Sequence, residues 1–251
     1  QHLAGTVLTD YITNSLLLVL GVGFLSLLFG LSTAWVVSTC DFPGRKWFAG
    51  GLLLPLAIPT YIAAYTYVGI FDYTGPIQVF LRDTLEVDFD PGWLNIMNLP
   101  GLIVVMALVL YPYVYAIART GFMNQSRNLV ESSNVLGSSA LRTFFRVALP
   151  NNRPAIVGGV SLVIMEVLND YGAVQYFGIS TFTTGIFRAW FSLGDVQAAA
   201  YLSSMLMGFV FLLIILERLQ RGRAAYDSGR QTSRPLYLYK LTRTQQVLAF
   251  L

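Results

Sequence analysis

Five long apolar runs restrict what this chain can fold into more than any other feature of its sequence. They lie at roughly 11–37, 48–71, 99–118, 155–177 and 196–216. A helix needs about 18 or more apolar residues to cross the hydrocarbon core of a bilayer, where no water is present to satisfy backbone N–H and C=O groups. Runs of this length predict membrane-spanning helices, whereas a barrel would show short segments of alternating polarity. The composition agrees: of 251 residues 55% are hydrophobic and 12% charged, against about a quarter charged in a soluble domain. The expected fold class is all-α, a polytopic membrane protein with a bundle of five transmembrane helices.

Small residues and prolines shape these runs. Gly21, Gly23, Gly30 and Ala34 in the first run, and Gly158 and Gly159 in the fourth, offer faces for close helix packing. Pro55 and Pro59 interrupt the second run and predict bends in it. Pro112 lies inside the third, which Arg119 is expected to close. The fourth carries Glu166 and Asp170, four residues apart and so on one face of a helix. Ionisable groups inside a span are costly and need a reason. Three remain open: lining a transport path, carrying protons, or bracing the bundle by hydrogen bonds. Tyr171 and Tyr176 beside Asp170, with Tyr61 and Tyr65 on the second run, are either further oxygen ligands at the mouth of a path or members of an interfacial aromatic belt. Residues 180–192 are amphipathic but too short to cross, and should lie at the interface.

Positive charge orients the chain. Arg45, Lys46, Arg119, Arg127, Arg142, Arg146 and Arg153 fall in two loops, and seven more basic residues fall in the tail from Arg218 to Arg243. The opposite side holds only Arg82, among the acids of residues 72–98, and Arg188. Basic loops face the cytoplasm, so the chain should start outside and its tail should lie inside. The pI near 9.0 reflects these loops and gives no sign of nucleic-acid binding. A single cysteine, Cys40, excludes an internal disulfide and reads as a packing residue at a membrane edge; with His2 the only histidine, there is no ligand set for structural zinc.

Between the third and fourth runs lies Glu131–Pro150, ESSNVLGSSALRTFFRVALP, which reads as two short cytoplasmic helices. Gly137 should end the first helix and Ser138 or Ser139 should cap the second. Leu141, Phe144, Phe145 and Ala148 then form an apolar stripe, which Pro150 is expected to stop. Such a pair must bury its stripe either under its own bundle or against another subunit.

The spacing Glu131-Ser132-Ser133-x3-Gly137-x9-Val147-x-Leu149-Pro150 resembles the EAA loop, E-A-A-x3-G-x9-I-x-L-P, of permease subunits of binding-protein-dependent ABC importers. The departures, serines for the alanines and valine for isoleucine, are small. Residues 166–190, EVLNDYGAVQYFGISTFTTGIFRAW, and the early DFPGR turn are similar to ferric-iron permeases, in which two such halves usually share one polypeptide. The chain is most like the N-terminal half, with residues 1–225 as the permease domain. Residues 226–251 would be a linker running into a further, truncated span.

The resemblance implies a MetI-like permease fold in the bacterial inner membrane. It also implies a second permease half, ABC ATPase subunits and a periplasmic substrate-binding protein as partners. Glu131, Ser132, Ser133 and Gly137 would meet the ATPase, with Leu149 and Pro150 closing the motif. The expected activity is ATP-driven import, with ferric iron as cargo. Thiamine, polyamines, sulfate and other oxyanions are alternatives within the family, and a proton-coupled carrier using Glu166 and Asp170 is an alternative outside it. No G-x4-G-K-[ST] loop is present, so ATP and Mg belong to a partner, and the chain itself should be a transport subunit without enzymatic activity or a cofactor of its own.

Overall fold

The computed structural model describes residues 7–84, 91–124, 133, 137–221 and 239–240. These residues are helical almost throughout. The exception is a two-residue parallel pairing of Cys40–Asp41 with Tyr239–Lys240. The main helices are α1 (Val7–Thr39), α2 (Arg45–Gly51), α3 (Thr60–Phe71), α4 (Leu99–Asn124), α5 (Arg153–Asn169) and α6 (Val196–Arg221). Three of them, α1, α4 and α6, are long and apolar enough to cross a bilayer. Only 11% of the apolar window of α6 is buried, so its large side chains, such as Phe211, Ile215 and Leu219, lie exposed. A soluble protein would not leave such a helix uncovered.

Three of the expected spans differ in detail. The second is not one helix: Arg45–Ala57 and Thr60–Asp83 meet at a bend of 97°. Pro59 sits at the break in an extended conformation, φ −56° and ψ 139°, immediately before α3. Its ring and missing N–H prevent an unbroken helical ladder there. The third span does not close at Arg119 but runs on to Asn124. Its start is fixed by Asn98, whose Oδ1 accepts from the Gly101 amide at 2.8 Å, an N-cap that leaves Pro100 in the first turn, where no N–H is needed. The fourth span, α5, has 17 residues and stops at Asn169 instead of reaching 177. At 1.5 Å per residue it is about 25 Å long, at the short end of what spans a bilayer.

Contacts divide the chain into two units. One comprises Gln1–Leu25, Pro55–Leu110 and Val163–Leu212; the other comprises Ser26–Leu54, Tyr111–Leu162 and Leu213–Leu251. In the first, Tyr11, Phe182, Ala189, Ala198, Ala199 and Leu202 form a buried cluster. Asn14 and Ser15 hold the 180–182 segment. Asn14 Nδ2 donates to the Ser180 carbonyl at 2.9 Å, and Ser15 Oγ accepts from the Phe182 amide at 3.3 Å. Thr181 and Thr184 then form a reciprocal capping box that starts the helix Phe182–Phe187. Gly185 is small because a Cβ there would come within 2.5 Å of the Tyr11 ring.

In the second unit, Ala34, Val37, Phe42, Tyr115, Ala118, Phe122 and Ala148 make the core. Glycines let three helices meet at one residue. A Cβ on Gly30 of α1 would lie 2.7 Å from Val114 Cβ, and a Cβ on Gly159 of α5 would lie 2.9 Å from Val114 Cα on α4. The small faces read from the sequence are therefore real contact faces, with backbone approaching backbone. Replacing Gly159 with leucine is expected to destabilise the assembled transporter by about 1–3 kcal/mol, because the α4 backbone must shift. A lower melting temperature in detergent checks this; an unchanged one contradicts it.

The turn after α1 is locked by Arg45, whose Nε donates to the Val37 carbonyl at 2.6 Å. This satisfies one of the carbonyls that a helix end leaves open. Cys40, just past that end, is half-buried, and burial raises its thiol pKa above the ordinary value. The Thr39 hydrogen bond and the Arg45 charge oppose the rise only in part. Its thiolate fraction at neutral pH is then below that of a free thiol. Maleimide labelling is expected to be slower than for glutathione and to rise with pH beyond the usual thiol range; equal rates at neutral pH would contradict this.

Candidate functional site

Two groups of residues singled out by the sequence form separate sites, one in each unit. In the second unit, the loop 133–150 is built around Gly137. Its φ is +77°, the left-handed region that glycine enters without penalty. The Ser138 amide donates to the Ser133 carbonyl at 3.1 Å. This six-to-one bond, with glycine at the left-handed position, is a Schellman helix stop. Of the two candidate caps for the second helix, Ser139 serves: its Oγ accepts from the Arg142 amide at 3.4 Å. The buried Ser133 hydroxyl meets the buried Thr143 hydroxyl at 3.0 Å, joining the two sides of the turn. Glu131 and Ser132 lie outside the described residues, as do residues 134–136 and the side chain of Leu141.

The apolar stripe lands only in part. Phe144 packs on Trp35, ring centroids 5.0 Å apart, and on Phe122 at 6.3 Å, while Ala148 is fully buried. Phe145 is 61% exposed and meets Phe144 edge-on, ring centroids 4.9 Å apart. Pro150 does not stop the helix. Residues Phe144–Ala148 form a π-helical turn, Leu149–Asn151 continue it with proline in the first turn, and α5 begins at Arg153. Widening the helix just before the proline accommodates its ring and its missing N–H. Leu149 and Pro150 are half-buried, and Asn152 is a turn residue between this segment and α5.

Sequence reasoning missed Asn152. It is buried, and its Nδ2 donates to the Ala118 carbonyl of α4 at 2.9 Å. Gly121, one turn further along α4, makes room for it: a Cβ there would collide with Asn152 Oδ1. Asn152 therefore ties the end of the 140–151 segment to α4 beside Phe122.

In the first unit, Asp170, Tyr61, Tyr65 and Tyr176 come together where residues 170–176 pack along α3. A Cβ on Gly172 would lie 2.9 Å from Tyr61 Cβ, and the Tyr65 and Tyr176 rings meet edge-on at 5.8 Å. Tyr171 faces the other way and stacks on Phe187 at 4.0 Å. Asp170 does not share a helix face with Glu166, because α5 ends at Asn169. Its own carboxylate starts the next turn. Oδ1 accepts from the Ala173 amide at 2.9 Å, and Oδ2 accepts from the Thr60 hydroxyl. The Asp170 carbonyl accepts from Thr183 Oγ1 at 2.9 Å. Asp170 therefore joins three segments: the start of α3, the turn 170–176 and the helix at 182–187. Glu166 is exposed one turn earlier. Tyr61 and Tyr65 are 54% and 67% exposed. Among the described residues no three His, Cys, Asp or Glu side chains gather to hold a metal ion.

This arrangement of apolar helices, a broken second span and a glycine-hinged loop is the fold of ABC importer permeases. A chain of the MetNI methionine ABC transporter superposes with a TM-score of 0.66 at 14% identity, covering 86% of this chain and 95% of that one. A chain of a bacterial alginate ABC importer gives 0.68 at 17% identity, covering 88% and 81%. The chain belongs to the family described as binding-protein-dependent transport system inner membrane component, which matches residues 26–224. It is thus a membrane component of a transport system rather than a catalytic subunit. The Fe(3+)-transport system permease protein FbpB 2 of Haemophilus influenzae is 28% identical over 244 residues, 97% of this chain and 44% of that protein. The sulfate transport system permease protein CysT of Salmonella typhimurium is 30% identical over 148 residues, 59% of this chain and 51% of that protein. The chain spans about half the length of these curated relatives.

Proposed function

We propose that this chain forms one half of the membrane path of an ATP-driven importer for ferric iron in the bacterial inner membrane. Residues 1–225 act as the permease domain and 226–251 lead towards a second half. The observation that carries the cargo assignment is the match to the ferric-iron permease, which runs over 97% of this chain, whereas the match to the sulfate permease covers 59%. The basic loops support an orientation with the chain start outside and residues 131–150 in the cytoplasm. There Glu131, Ser132, Ser133 and Gly137 meet an ATPase partner, and a periplasmic protein delivers cargo to the opposite face. ATP and Mg are bound by the ATPase.

Coupling runs from the loop into the helices. The Schellman stop at Gly137 gives the loop a fixed turn. The Ser133–Thr143 bond, the Phe144–Trp35 contact and the Asn152–Ala118 bond carry the turn's position into α1, α4 and α5. A push on the turn then moves helices as rigid bodies between two packed arrangements, as coupling of this kind requires. In the first unit, Asp170 acts as a brace, since both its oxygens are engaged by protein donors. The exposed phenols of Tyr61 and Tyr65 are the oxygen groups left to meet a hard cation.

Uptake by proteoliposomes holding the full transporter and its binding protein tests the cargo. Labelled ferric iron should accumulate, and excess sulfate should not compete. Accumulation of labelled sulfate without iron would overturn the iron assignment and leave family membership intact.

A further inference from the structure

The first unit contains a cavity of about 530 Å³ that neither the coupling loop nor the Asp170 brace uses. Tyr11, Tyr171, Gln175, Ser180, Arg188 and Ser192 are among the residues that line it. Among the described residues, Arg188 is the one charged residue in that lining. The other polar groups are hydroxyls and an amide, which can donate hydrogen bonds but do not neutralise a cation. A wall of this kind disfavours a bare cation and favours an anion.

The acids near Arg188 in sequence are committed elsewhere. Asp195 Oδ1 accepts from the Ala198 amide at 2.8 Å at the start of α6, and both Asp170 oxygens are engaged by Thr60 and Ala173. Arg188 is exposed, and among the described residues no carboxylate pairs with it. Its backbone is also set with care. Arg188 opens a π-helical turn, Arg188–Ser192, a local irregularity common at functional sites. The stack of Phe187 on Tyr171 fixes the adjoining wall.

We infer that this cavity binds a small oxyanion, held by the Arg188 guanidinium and by surrounding hydroxyl and amide donors. A guanidinium matches the planar oxygen pairs of sulfate, phosphate or carboxylate with two parallel charge-assisted bonds. The anion has two possible sources: a free oxyanion in solution, or the phosphate of a lipid head group. The second arises because Trp190 and Phe191 beside Arg188 are 50% and 73% exposed, and aromatic residues are enriched at membrane interfaces.

Equilibrium binding of radiolabelled sulfate and phosphate to the assembled transporter tests the site, in maltoside detergent and in phosphatidylglycerol nanodiscs. Saturable binding in both assigns the site to a free oxyanion. Saturable binding in detergent that disappears in the nanodiscs assigns it to a lipid phosphate. In either case Arg188→Gln should weaken binding at least roughly tenfold. Arg188→Lys, which keeps the charge but not the two-pronged geometry, should bind more weakly than the native protein and more tightly than Arg188→Gln, and Arg82→Gln should leave binding unchanged. No saturable binding in detergent, or binding undiminished in Arg188→Gln, overturns the inference. The assay needs neither ATP nor uptake, so its outcome is independent of whether ferric iron is the cargo.

Discussion

A Gly137→Val transporter is expected to insert and assemble normally yet to lose roughly tenfold or more of its ATP-driven uptake, a loss equivalent to about 1.4 kcal/mol. Strain, not crowding, is the cause. A Cβ at Gly137 would meet nothing within 4 Å, so a side chain has room. The obstacle is the φ of +77°, which costs an L-residue about 1–2 kcal/mol and is worst for a β-branched one. The chain escapes that cost by unwinding the Schellman turn, which breaks the Ser138–Ser133 bond and frees the loop from the orientation proposed for contact with an ATPase. Gly137→Asn, which tolerates the left-handed region, should transport far better than valine. ATP hydrolysis measured beside uptake completes the test: valine should leave hydrolysis running while transport falls. Full uptake in the valine variant would remove Gly137 from any role in coupling.

The second large effect is expected at Asp170. Alanine there leaves the Thr60 hydroxyl and the Ala173 amide without their acceptor, at about 2 kcal/mol. That corresponds to a fall of roughly 4–8 °C in melting temperature for a chain of this size. Asparagine keeps an oxygen for the Ala173 amide, and its NH2 can donate to the Thr60 hydroxyl once that rotates. If Asp170 is a brace, Asp170→Asn keeps most of the stability and most of the uptake, whereas Asp170→Ala loses both together. An asparagine variant that is as stable as the native protein but does not transport would show instead that the charge itself acts on the cargo.

The sequence made the helical class plain because lipid leaves backbone groups no other partners than helix or closed barrel. It also exposed Gly30, Ala34 and Gly159, since helix approach in a membrane selects small residues. The stop at Gly137 and the cap at Ser139 were legible for a local reason: each is decided by residues within one turn. Non-local or cumulative effects were hidden. Pro55 and Pro59 announced a bend, but its 97° depends on how the neighbouring turns are satisfied. Four-residue spacing placed Glu166 and Asp170 on one helix face, and that arithmetic fails because Asp170 itself caps the next turn and helps end α5. Pro150 looked like a stop because the π-helical turn that absorbs it has no local signature. Asn152, which reaches the Ala118 carbonyl 34 residues away in sequence, could be found only in three dimensions.

Whether ATP drives the path through the loop 131–150 is decided by uptake in proteoliposomes, with nucleotide supplied on the face bearing that loop. Cargo should accumulate with ATP and not with ADP or with a proton gradient alone, and the accumulation should be lost in the Gly137→Val variant. Uptake that tracks the proton gradient without ATP, or that survives in the valine variant at the native rate, would contradict ATP-driven coupling through Gly137.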